Sequence, residues 1–148
     1  GAASLGAQAY YAHPRNQFWP VMQALWPGDA QPVDYPGRLG WLLAHGLGLW
    51  DVYASCTRQG SLDSAIRDAR TNDFAALRRA CPRLVAVAHN GGESHRHAAP
   101  VRQALQAPGL PELAVLKLPS TSPAHASWSF ERKRAAWRQA FAGLGLCP

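Results

Sequence analysis

The stretch Arg83-Leu84-Val85-Ala86-Val87-Ala88-His89-Asn90-Gly91-Gly92 decides the fold. Its middle is apolar at every position rather than at alternate ones. That is the pattern of a strand buried on both faces, and so of a parallel sheet covered by helices. It ends in a His-Asn-Gly-Gly turn that leads into a predicted helix reaching about Leu105. Pro108 to Pro111 reads as a turn, and Leu113-Ala114-Val115-Leu116-Lys117-Leu118 as a second such strand. Upstream, Gly48-Leu49-Trp50-Asp51-Val52-Tyr53 reads as a third. Helices are predicted between and around them. One runs from Asn16, an N-cap type, to about Trp26, with Pro20 tolerable only in the first turn. Another opens at Pro36 and carries Leu39, Leu42, Leu43 and Leu47 on an apolar face. Further helices are predicted over Ser61–Ala69, from Asn72 to about Ala80, and from about Ser129 to Phe141. Trp41, Trp50 and Trp137 fall in apolar periodic segments and are assigned to the core. Alternating strands and helices give an α/β class, with a short central parallel sheet in a three-layer α/β/α arrangement.

The chain of 148 residues suits one domain, residues 1–148, with a real hydrophobic core. No apolar run approaches the roughly 20 residues that cross a membrane, and no secretory signal is visible. Fifteen Lys and Arg face nine Asp and Glu, a net charge of +6, so a polyanionic partner is favoured. Thirteen of those cations are Arg, the better residue for bidentate phosphate contacts. The three cysteines, Cys56, Cys81 and Cys147, have no metal-ligand spacing. Their odd number argues against a disulfide framework and points to a reducing cytoplasm.

In open parallel sheets, ligands bind outside the carboxyl ends of the strands. His89-Asn90-Gly91 lies at one such end. Pro119-Ser120-Thr121-Ser122-Pro123-Ala124-His125-Ala126 lies at another, a small hydroxyl loop braced by two prolines. Hydroxyls and backbone N–H groups there suit phosphate oxygens. Gly91-Gly92 allows close backbone approach ahead of a helix N-terminus. Read alone, Asn90 is equally a plain turn residue and the hydroxyl loop an ordinary turn. Near the start, Tyr10-Tyr11-Ala12-His13-Pro14-Arg15-Asn16-Gln17-Phe18-Trp19 gathers four aromatic rings, a histidine, an arginine and two amides. A ring covers a flat heterocycle, and an amide both donates and accepts. The same composition also fits a core-anchoring turn before a helix.

Taken together, these segments resemble the uracil-DNA glycosylase superfamily, and most closely its hypoxanthine-DNA glycosylase branch. The resemblance is carried by Tyr11–Trp19, Leu49-Trp50-Asp51-Val52, Gly60–Ile66, Asn72-Asp73-Phe74, His89-Asn90-Gly91 and Leu118–Ala124. They stand in the family's order and cover most of the chain. The family opens with a strand ending in a Gly-x-x-Pro-Gly turn. Gly1-Ala2-Ala3-Ser4-Leu5 looks like the tail of that turn, so the first strand is expected to be missing from this sequence. The mismatch-specific uracil/thymine branch is more distant.

The resemblance implies a monofunctional DNA-deoxyinosine glycosylase that flips a deaminated base out of the duplex and hydrolyses its N-glycosidic bond. Ordinary glycosidases use paired carboxylates, and this chain offers no convincing pair at the predicted rim. A nucleobase is a better leaving group, and amides that place water and donate to the base suffice. By resemblance, Asn16 is the principal catalytic residue and positions water. Asn90 reads or polarises the purine edge, Tyr11 stacks on the flipped base, and Phe18 supports the pocket wall. Ser120, Thr121, Ser122 and His125 hold DNA phosphates, and their loop wedges the duplex.

A bifunctional lyase needs an amine nucleophile. The two lysines, Lys117 in a strand and Lys133 on the last helix, are poorly placed for it. His95 and His97 stand two apart on a predicted helix and share no face, so no metal site is expected. Nor is any cofactor, since four cysteines for a cluster are lacking. Arg132, Lys133, Arg134 and Arg138 on the last helix form either a solvated face or further phosphate contacts. Double-stranded DNA containing deaminated bases is the expected partner of a cytoplasmic monomer. The same fold acting on uracil or on mismatched uracil and thymine remains open, as does a non-catalytic nucleic-acid-binding module. A small-molecule hydrolase ranks last, because no Gly-x-Ser-x-Gly elbow is present.

Overall fold

Two helices of this chain start at side chains that accept orphan backbone N–H groups. Asp34 accepts from Gly37 N at 2.9 Å and Ser129 from Arg132 N at 3.1 Å. Asn16 accepts from Phe18 N at 2.9 Å, although Gln17 occupies the formal cap position. The computed structural model describes residues 15–50, 53–55, 70–71, 74–106, 108–110 and 112–148. The elements are α1 (Phe18–Leu25), α2 (Tyr35–Ala44), β1 (Tyr53–Ser55), β2 (Arg70–Thr71), α3 (Phe74–Ala80), β3 (Ala86–Asn90), α4 (Gly92–His95), α5 (Ala98–Leu105), β4 (Ala114–Leu118) and α6 (Phe130–Gly143). They divide into two compact units, one within positions 51–117 and the other over 15–50 and 118–148.

In the first unit, β3 and β4 lie side by side as a parallel pair, joined through α4 and α5, as the α/β pattern requires. Ala114 N donates to Val85 O at 3.1 Å. Phe74, Val101, Leu105 and Leu113 form the core, with Leu77, Leu84 and Val87 against it. Three expectations are corrected here. First, Val85 is 64% exposed, so the Arg83–His89 segment is not covered on both faces. Second, of the Gly48–Tyr53 segment, Gly48–Trp50 form no strand, Asp51 and Val52 lie outside the described residues, and Tyr53 belongs to β1, which pairs antiparallel with β2 apart from the parallel pair. Third, the helix after Gly92 is broken at Arg96-His97. Pro100 explains the break: its ring would clash with the carbonyl of Arg96, and it has no N–H to donate. Pro100 is accommodated instead in the first turn of α5. The helices predicted to run over Ser61–Ala69 and to start at Asn72 fall on residues outside those described, except for the part formed by α3.

In the second unit, Phe18, Trp19, Val21, Met22 and Leu25 of α1 are buried with Trp26, Trp41, Leu42, Leu118, Trp137 and Phe141. Pro20 sits in the first turn of α1, where its missing N–H costs nothing. Of the apolar residues assigned to α2, Trp41 and Leu42 are buried while Leu43 is 68% exposed. Trp50 is also exposed, at 51%, and does not join the core assigned to it. Helix α6 buries Lys133, Trp137 and Phe141, a single stripe at four-residue spacing. Just beyond its end, Gly145 has a φ of 75°, which lets Gly145 N and Leu146 N reach back to Ala142 O and Phe141 O. No helix among the described residues is long and apolar enough to cross a membrane.

This packing sets a stability contrast. Met22 is 0% exposed, so Met22→Ala is expected to lower unfolding free energy by about 2–5 kcal/mol. Leu43→Ala, at a solvated position, is expected to cost at most about 0.5 kcal/mol. Urea unfolding of the two variants measures the difference.

Candidate active site

The entry to α1 and the loop after β4 meet through one residue, Thr121. Its backbone carbonyl accepts from Gln17 N at 2.9 Å. Its hydroxyl donates to Asn16 Oδ1, also at 2.9 Å. The same Asn16 oxygen accepts from Phe18 N. Asn16 and Thr121 are 105 positions apart in the chain, and this contact fixes both. Thr121 is 0% exposed. It was expected among the phosphate-holding hydroxyls, but a side chain buried in this way faces Asn16 instead.

The rest of the loop is held from within and from below. Ser120 Oγ accepts from Ser122 N at 3.1 Å, and Ser122 Oγ from Ala124 N at 3.2 Å. Each serine keeps its own O–H to donate, and both are half-buried. From α6, Trp137 Nε1 donates to Pro119 O at 2.9 Å and Lys133 Nζ to Ser122 O at 3.4 Å. His125 is half-buried beside Trp128, and its Nε2 is shielded without a partner among the described residues. The Arg132 guanidinium lies 3.8 Å over the Trp128 ring, a cation–π contact at the edge of the loop.

In sequence, Lys133 groups with Arg132, Arg134 and Arg138 as one basic face. It does not belong there. At 2% exposure its stem packs in the α6 stripe, and burial pulls its ammonium pKa below the usual lysine range. Arg132 and Arg138 are exposed, and Arg134 pairs with Glu131 at 2.9 Å. The Lys133–Trp137–Phe141 spacing is the signal that would have found this, because two large aromatics at i+4 and i+8 mark the buried face.

Phe18 is 3% exposed and packs edge-on against Trp19 and Trp137. Its ring belongs to the core, and its N–H is what orients Asn16. Tyr11, expected to stack on a base, lies outside the described residues.

The other amide, Asn90, ends β3 and is half-buried. Gly91 follows at φ 94°, ψ 170°, a conformation that essentially only glycine adopts, so the chain turns sharply at the strand end. The expected anion site at the following helix weakens, since α4 has four residues and little macrodipole. His89, beside Asn90, is 3% exposed, and its Nδ1 lies 2.8 Å from Ser94 Oγ. Burial, and then the nearby His95 and His97, hold its pKa below the usual histidine value. The ring is therefore neutral at pH 7. Successive strand residues point to opposite faces, so anchoring His89 inward sends Asn90 to the other side.

Comparison with known proteins gives two relatives. Over 141 residues the chain is 33% identical to a protein named hypoxanthine DNA glycosylase from Methanosarcina barkeri (strain Fusaro), covering 95% of this chain and 84% of the relative. A protein of the same name from Methanosarcina acetivorans is 34% identical over 138 residues, covering 93% and 82%. No family model matches the chain, and no solved structure matches it.

His89 carries a pH prediction. Its pKa is lowered on folding, so below about pH 6.5 the unfolded chain binds a proton that the folded chain does not. Its contribution is intact above that value and declines as pH falls. Thermal melting from pH 7.5 to 5.5 is expected to show a loss of stability in the wild type that His89→Gln reduces.

Proposed function

The chain belongs to the hypoxanthine DNA glycosylase family, and from that membership we propose that it is a monofunctional glycosylase, a single glycosylase domain that removes hypoxanthine from double-stranded DNA. The observation that carries the reading is identity to two proteins of that name over at least 93% of this chain. The geometry of Asn16 and the loop supports it. Hypoxanthine arises by deamination of adenine and pairs poorly with thymine, so it is cheaper to extrude than a paired base.

In this reading the flipped nucleotide presents its N-glycosidic bond to Asn16. As the C1′–N9 bond lengthens, its electron pair moves into the purine and positive charge builds on the sugar. Water adds to C1′ and its proton leaves to solvent. Asn16 orders the reacting groups. Tyr11 covers the base. Neutral amides suit this reaction because the leaving group carries its own charge on ring atoms that hydrogen bonds can reach. The Ser120 and Ser122 hydroxyls and His125 hold phosphates beside the extruded base, and the exposed arginines of α6 add sequence-independent attraction. Lys133 is too deeply buried to attack an abasic sugar, which favours the monofunctional outcome.

The test uses labelled duplexes carrying hypoxanthine, uracil or xanthine, followed by alkali. Alkali-sensitive breaks are expected at hypoxanthine. Folded protein that binds every duplex and leaves all of them intact overturns the proposal. Asn16→Ala is expected to slow single-turnover cleavage by about 100-fold, roughly 3 kcal/mol, with DNA affinity little changed.

A further inference from the structure

We infer that Thr121 is a positioning residue for Asn16, and that it commits the Asn16 amide to work through its NH2 group rather than its oxygen. The inference rests on the proposed glycosylase reading and deepens it.

The orientation of an asparagine amide is settled by its partners. The backbone N–H of Phe18 can only donate, so the group 2.9 Å from it must be the acceptor, Oδ1. The Thr121 hydroxyl is 2.9 Å from the same atom. A carbonyl oxygen cannot donate, so the hydroxyl must. Both lone pairs of Oδ1 are then engaged. The Gln17 N–H to Thr121 carbonyl bond holds the two segments in register, so neither donor can drift away alone. With Thr121 fully buried, water does not compete for its hydroxyl.

What is left is the NH2 group, with two hydrogens, on a half-buried side chain. Among the described residues it meets no acceptor. It can hydrogen-bond to electron-rich atoms, either a water oxygen or a base atom gaining negative charge. It cannot take a proton from the attacking water. Asn16 is therefore a donor in the transition state and not a general base. Thr121 touches no substrate. It acts through the amide that it holds.

Four variants, with Asn16→Ala as a background, test this in single-turnover cleavage of the hypoxanthine duplex, with melting temperature and DNA affinity measured alongside. Thr121→Val keeps the shape and removes the donor. It is expected to lower the rate about tenfold with affinity unchanged, the loss typical of a loosened catalytic group. Thr121→Ser restores the hydroxyl and is expected to recover most of the rate. In an Asn16→Ala background, Thr121→Val is expected to lower the rate no further, because the amide it positions is gone. A purely structural role would lower it equally in both backgrounds, and that result overturns the inference. Asn16→Asp keeps an acceptor for Phe18 N and Thr121 but replaces NH2 with a second acceptor oxygen. It is expected to fold and to lose about 100-fold, as Asn16→Ala does. An Asp variant as fast as the wild type would show that an acceptor serves and would also overturn the inference. A wild type inactive on all three duplexes defeats the glycosylase reading itself, whereas an active wild type with an unaffected Thr121→Val variant defeats the positioning role alone.

Discussion

Much of the second unit depends on a buried threonine that closes two hydrogen bonds across 105 residues of chain. Thr121 gives its carbonyl to Gln17 N–H and its hydroxyl to Asn16. Without that pairing, the start of α1 would hold an unmet N–H group at Gln17, at a cost of about 1–3 kcal/mol. The clamp is only as good as the loop that carries it. Here α6 contributes, because its buried stripe reaches the carbonyls on either side of Thr121. Trp137 donates to Pro119 O and Lys133 to Ser122 O. A helix in the hydrophobic core thus sets the height of a polar loop, and the loop sets the angle of one amide.

This arrangement was partly legible in the sequence. Asn16 reads as a helix-start residue, and its oxygen does accept from the first turn. Ser129 begins α6 where the pattern places it, and the parallel pair follows from two apolar runs separated by helical sequence. The division of labour among Ser120, Thr121 and Ser122 was not legible. Three adjacent hydroxyls look alike in a sequence, and only the path of the backbone decides which one turns inward. Lys133 was hidden for a related reason. Charge suggested a solvated face, while the four-residue spacing to Trp137 and Phe141 placed its stem in the core, where a long aliphatic chain packs well and only the ammonium needs a partner.

The departures in the first unit come from local sterics and short range. Pro100 divides one predicted helix into α4 and α5, because a ring without an N–H cannot sit in a helix interior. On its apolar content, the segment ending at Tyr53 suggests a strand of the parallel sheet. Strand type cannot be judged from such a short run, since its pairing partner is chosen by tertiary contacts. Leu43 and Trp50 show the same limit from the other side. An apolar residue at helical or strand spacing is a candidate for burial, and many surface positions are apolar as well.

The identity of residue 16 separates stability from chemistry. A helix N-terminus has unpaired N–H groups and the positive end of the macrodipole. An aspartate caps such a site as well as an asparagine does, and its charge gains from the dipole. It would accept equally from Phe18 N and from the Thr121 hydroxyl. On folding grounds alone, then, the amide has no advantage over the carboxylate. The only group that asparagine adds is NH2, the part of the side chain that the surrounding bonds leave unengaged. A structural requirement accounts for the oxygen of Asn16 and not for its nitrogen. On the glycosylase reading the nitrogen has work: it offers a neutral donor to a reaction in which negative charge moves onto the departing base. A carboxylate at that position would repel the same charge.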